Sequence, residues 1–144
     1  MLSFEDAATY LDDVVDELPD VILRELNGGI SFVPHEKRNG KSPSMYILGE
    51  YIKNKQMGRY IVIYYGSFVK LHSNCTDEFV RKRLKEVLIH ELTHHNESLA
   101  GDHDLELKDI IQQNHFLNTG KYISTKDIDL YNTNSTGANN DFEN

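Results

Sequence analysis

The chain has 144 residues, of which 39% are hydrophobic, so it is long enough to bury one core and short enough to favour a single domain. Its 23 acidic and 15 basic residues give a formal charge of -8 without a basic cluster, which disfavours nucleic acid and anionic membranes as partners. The N-terminus lacks a signal-peptide pattern, no apolar run approaches bilayer length, and Cys75 is the only cysteine. We therefore expect a soluble, cytoplasmic monomer in which any metal is held by nitrogen and oxygen.

Two helices are expected first along the chain. A capping-box pattern at Ser3 and apolar residues at helical spacing predict a helix over residues 4–18. Pro19 is typical of a first helical turn, so a second helix is expected through Leu26, ended by the glycines that follow Asn27.

Three runs rich in β-branched and aromatic residues predict strands of a small sheet, at residues 30–33, 45–52 and 59–66. The polar residues 53–58 between the last two runs can close a hairpin. The chain therefore has the pattern of an α+β fold.

A long helix is expected to begin at Asp77 with Thr76 as its N-cap, and Gly101 is the expected stop. A shorter helix should follow over residues 104–115. The remaining residues are rich in Asn, Asp, Ser and Thr, so we expect a domain at residues 1–117 and a disordered polar tail at residues 118–144.

The long helix carries the sequence "HELTH", which places His90 and His94 four residues apart. On a helix both imidazoles project from one face, at a separation suited to two zinc–nitrogen bonds. Glu91 lies beside them, where a general base can deprotonate a metal-bound water. The competing interpretation is a solvated polar helix face; His95, about a hundred degrees around the helix from His94, is expected to support packing rather than bind metal.

Several segments of the chain resemble a known protein family. The segments that carry the resemblance are "SFEDAATYLDDVVDELPDVI", "LNGGI", "YILGEY", "GRYIVIYYGSF" and "HELTHHNESLAGDHDLELKD". Together they resemble the small bacterial zincin-like metallopeptidases long catalogued as a domain of unknown function, over residues 2–113. The resemblance implies a minimal zincin-like fold, a small mixed sheet packed on the active-site helix and N-terminal helices, with a zinc-dependent peptidase site. In zincins a sheet edge also lines the cleft and pairs with an extended substrate, so the strand at residues 45–52 or 59–66 is a candidate for that role.

Two histidines do not complete a catalytic zinc site, which normally has three protein ligands and a water. The family's glycine-then-aspartate pattern nominates Asp104, three residues after Gly101. Glu97, on the same helical face as the histidines, is the second candidate, followed by His103 and Glu106.

The sequence thus predicts a zinc-dependent metallopeptidase acting on peptides or proteins, with Zn²⁺ held by His90, His94 and Asp104 and with Glu91 as general base. The alternative is a zinc-stabilised binding module without turnover. An open coordination position near Glu91 would favour the enzyme, and a closed site with four protein ligands would favour the module.

Overall fold

A computed structural model describes residues 1–103 and 140–143. The described part is α+β, as the sequence predicted. Its elements in chain order are α1 Phe4–Asp16, α2 Asp20–Leu23, β1 Gly29–Val33, β2 Tyr46–Asn54, β3 Gly58–Tyr64, α3 Tyr65–His72, α4 Asp77–His103 and β4 Asn140–Glu143. None of the described helices combines the length and the apolar composition that a membrane span requires.

The described strands form one mixed sheet in the order β1-β3-β2-β4. β1 runs parallel to β3, whereas β2 is antiparallel to both of its neighbours. The predicted hairpin joins β2 to β3, and the Asn54 side chain accepts the backbone N–H groups of Gln56 and Met57 in its turn. Gly58 follows with a φ of +76°, a left-handed conformation that glycine adopts without steric cost.

Local sequence signals place the starts of α1 and α4 correctly. The Ser3 hydroxyl accepts the Asp6 backbone N–H at 3.1 Å, and Thr76 Oγ1 accepts the Phe79 N–H at the same distance. Both predicted N-terminal helices end earlier than expected, α1 at Asp16 and α2 at Leu23.

The third predicted strand is wrong beyond Tyr64, where helix α3 begins at once. The tyrosine-rich pattern of the strand continues into this helix, so the sequence does not indicate where β3 ends and α3 begins. A Cβ on Gly66 would lie 2.4 Å from the Glu36 backbone nitrogen, so a distant loop crosses the first turn of α3. That tertiary contact is invisible in the local sequence.

Helix α4 runs for 27 residues along the sheet and supplies a large part of the core. Its fully buried apolar residues are Val80, Leu84, Val87, Leu88, Leu92 and Leu99. The prediction that Gly101 stops this helix is wrong, because Gly101 lies within α4, which continues to His103. The next residue explains the continuation: Asp102 bonds to Arg59 and Lys53, which attaches the last turns of α4 to the β2–β3 hairpin. The helix expected at residues 104–115 lies outside the described residues.

Strand β4 comes from the segment for which we expected disorder. Residues 140–143 pair with β2 along the edge opposite β3. The polar tail is therefore not uniformly without structure. Residues 118–139 and Asn144 lie outside the described part.

Candidate metal centre

The two histidines of the "HELTH" sequence converge on one face of α4. Their Nε2 atoms are 3.0 Å apart, and the ring planes are inclined by 89°. Two nitrogens bound to one tetrahedral zinc ion are separated by about 3.3 Å, given zinc–nitrogen bonds of about 2.0–2.1 Å. The observed convergence is therefore close to the spacing that one metal ion requires.

His90 is exposed, whereas only 6% of the His94 surface is accessible. Burial, and secondarily the neighbouring His90, lower the pKa of His94 to about 4. His94 is therefore neutral near neutral pH, and a neutral imidazole has the lone pair that a metal needs. The donor chemistry of this pair fits zinc.

Glu91 lies on the side of α4 that faces the sheet and is fully buried. Its Cγ is 3.5 Å from the position that a Cβ on Gly49 of β2 would occupy. The same Cβ would lie 2.7 Å from Val87 Cγ1, so α4 lies this close to β2 because residue 49 has no side chain. Glu91 and His94 are therefore not on a solvated polar helix face, whereas His90 is exposed to solvent.

His95 is fully buried and binds protein groups through both ring nitrogens, as its expected packing role requires. Its Nε2 is 2.7 Å from the Arg24 carbonyl oxygen, so Nε2–H donates there and Nδ1 is the acceptor. The Tyr51 hydroxyl, 2.9 Å from Nδ1, then donates to His95 and accepts from Arg59 at 2.8 Å. His95 thereby joins α4 to β2 and to the segment after α2.

Glu97 lies next to His94, on the Nδ1 side of its ring. Its Oε2 is 3.9 Å from His94 Nδ1, the ring nitrogen that faces away from His90. A carboxylate in that position is suited to hold the imidazole ring in its orientation. It is poorly placed to bind the same metal ion as Nε2.

The third ligand remains a prediction. Asp104 and Glu106 lie outside the described residues, and His103 is the last residue of α4. Within residues 1–103 and 140–143, no three His, Cys, Asp or Glu side chains are grouped to hold a metal ion.

Two polar clusters near the candidate metal centre were not predicted from the sequence. In the first, Arg59 bonds to Ser98 and Asp102 on α4. Hydrogen bonds with Arg59, and next with Lys53, lower the pKa of Asp102. These contacts span about forty positions of the chain, so only the folded structure brings their partners together.

The second cluster lies on the opposite face of β2, because neighbouring strand residues alternate. There Glu50 accepts from the Tyr64 hydroxyl at 2.8 Å and from Lys37 Nζ at 2.5 Å. Burial first, and then Glu50, raise the pKa of Tyr64. The cluster ties β2 to β3 and to the loop between β1 and β2.

Comparison with known proteins adds a structural relative and no activity. No protein-family model matches the chain, and no curated protein matches it. The chain is similar to a solved structure of a conserved hypothetical protein from Thermus thermophilus, with a TM-score of 0.60 and 29% identity. The match covers 69% of this chain and 99% of that one. It supports the α+β fold, and the description of that protein names no activity.

Proposed function

We propose that this protein is a zinc-dependent peptide hydrolase with a zincin-like active site. The observation that carries the proposal is the convergence of His90 and His94 Nε2 atoms, 3.0 Å apart, on the helix that holds Glu91 against the sheet. His90 and His94 would hold the metal, and Asp104 is our choice for the third ligand. Zinc bound there would polarise the substrate carbonyl and acidify a water.

The chain's own residues then have separate tasks. His94 presents a neutral nitrogen because burial disfavours its protonated form. Glu91 is the general base: its carboxylate oxygen accepts the proton of the attacking water and returns it to the leaving amine nitrogen. His95 positions the helix through Tyr51 and the Arg24 carbonyl and binds no substrate.

The rival function is a zinc-stabilised binding module without turnover. The full burial of Glu91 favours it, because a base enclosed by the protein does not reach a substrate in this arrangement. For the enzyme, the region around Glu91 must open when substrate binds.

Substitution of Glu91 by Gln tests the enzyme directly. The amide keeps the shape of the side chain and removes the base, so zinc content and melting temperature should remain at the parent's values. Hydrolysis of an unfolded protein should fall by about 10²-fold or more. Glu86→Gln, on the exposed side of the same helix, is the matched control and should keep the parent rate.

Three measurements on each purified protein decide the outcome: zinc per chain, melting temperature and the rate of fragment release. A Glu91→Gln protein that cleaves as fast as the parent contradicts the proposed base. A zinc-loaded parent that cleaves nothing favours the binding module.

A further inference from the structure

The edge of β2 that faces away from β3 is occupied by the chain's own C-terminal segment. Strand β4 runs antiparallel along it, with Glu143 opposite Tyr46 and Asn140 opposite Glu50. β4 also lies against α4, the helix of the candidate metal centre.

The register brings β4 next to the candidate base. Asp141 is paired with Gly49, and a Cβ on Gly49 would be 3.5 Å from Glu91 Cγ. The pairing is irregular between Ile47 and Gly49, which leaves Leu48 as an extra residue on β2. Such bulges are common beside active sites, where they redirect a strand.

We propose that strand Asn140–Glu143 is an intramolecular competitor of substrate, because it occupies the edge of β2 at which a zincin-like enzyme would bind its peptide. The inference rests on the proposed function and extends it to the regulation of that site. An edge strand offers a row of backbone N–H and C=O groups, and only one further strand can pair with that row. The substrate class is therefore an extended peptide segment that binds antiparallel to β2, and β4 must leave before it enters.

The tether makes this competition effective and reversible. β4 belongs to the same chain as the helix against which it lies, with 36 residues between His103 and Asn140, so its competition with substrate is intramolecular. Tethering gives a segment an effective local concentration, which a free peptide must overcome. A four-residue strand nevertheless makes few ladder hydrogen bonds, each contributing about 0.5–1.5 kcal/mol, so a longer substrate can displace it.

The test uses the full chain with Asp141→Pro and Phe142→Pro combined. Neighbouring residues of an antiparallel strand direct their N–H groups to opposite sides, so one of the two prolines removes a donor from the β2–β4 ladder. The matched control is Asn132→Pro combined with Thr133→Pro, which places the same change outside β4.

Two readouts require no turnover. Hydrogen exchange of β2 amides should quicken about tenfold or more in the β4 variant, with β1 unchanged and the control like the parent. A fluorescent peptide with the sequence of residues 137–144 should bind the β4 variant at least about tenfold more tightly than the parent. The same peptide with prolines at the positions of Asp141 and Phe142 should bind neither protein.

Hydrolysis of an unfolded protein is the third readout and should rise several-fold in the β4 variant. Unchanged β2 exchange overturns the inference, because β4 then does not occupy the edge. Faster exchange without any gain in peptide affinity also overturns it, since β4 would then only cap the sheet. If peptide binding improves while no protein cleaves anything, the binding edge stands and the proposed hydrolase fails.

Discussion

At Gly49 the packing of α4 on the sheet depends on a missing side chain. Val87 is fully buried, and its Cγ1 occupies the space that a Cβ at position 49 would need. The same contact holds Glu91 against β2, so the position of the candidate base follows from a glycine in the middle of a strand. Glycine inside a strand often marks such a close approach.

Gly49→Ala should therefore destabilise the protein by about 1–3 kcal/mol, because the added methyl overpacks a filled core. Urea unfolding measures the loss. Adding Val87→Ala should recover part of it, since the smaller side chain makes room. Gly40→Ala is the control, because a Cβ there has no atom within 4 Å. An unfolding midpoint for Gly49→Ala equal to the parent's would contradict the contact.

The two adjacent histidines show how far a sequence determines a residue's role. Helix geometry alone separates the direction of His95 from that of His94, so its packing role was predictable. Its partners were not, because Tyr51 and the Arg24 carbonyl are 44 and 71 positions away. The convergence of His90 with His94 needed only the four-residue spacing and was predictable in the same way.

Tyr51→Phe should cost about 1–3 kcal/mol in the free energy of unfolding, because it leaves the buried Nδ1 of His95 without its donor. Zinc content should not change, since His95 is not a proposed ligand. Tyr46→Phe, at the other end of β2, serves as the matched control and should cost less. A Tyr51→Phe protein that loses zinc would place His95 in the metal centre after all.

Among the helices and strands, local sequence signals predicted some boundaries correctly, and long-range contacts determine the boundaries that were predicted wrongly. Hydroxyl caps and apolar periodicity fixed the starts of α1 and α4, because both act within one or two turns. The start of α3 depends on the loop that crosses Gly66. The extension of α4 past Gly101 depends on the bonds of Asp102 to the hairpin.

The change in stability caused by Gly101→Ala has opposite signs for a glycine inside a helix and for a glycine that ends one. Inside a helix alanine is more stable than glycine by about 0.5–1 kcal/mol, and a Cβ here meets no atom within 4 Å. We therefore expect a higher unfolding midpoint in urea. Gly58→Ala is the control with the opposite sign, because its φ of +76° disfavours a side chain. A destabilised Gly101→Ala protein would restore the helix stop that the sequence suggested.

For the whole molecule, composition and periodicity predicted the α+β architecture, while strand order required the structure. β1 pairs in parallel with β3 although β2 lies between them in the sequence, and no local sequence pattern indicates this pairing. β4 escaped prediction for another reason: its pairing with β2 uses backbone groups, so a polar composition does not reveal it. Asp104, the predicted third metal ligand, lies outside the described residues and stays a prediction.

Zinc should stabilise the whole fold if His90 and His94 bind it only in the folded state. At a free zinc concentration 100 times the dissociation constant, linkage adds about 2.7 kcal/mol to the free energy of unfolding. A thermal melt should therefore shift upward by several degrees on zinc addition and return after chelation. His94→Ala should lose this shift, whatever its own melting temperature, because one converging nitrogen is gone. His35→Ala, an exposed histidine on another segment, should keep it. Glu91→Gln should keep it as well, since a general base contributes no bond to the metal. An equal response of the parent and His94→Ala would show that zinc binds elsewhere on the chain.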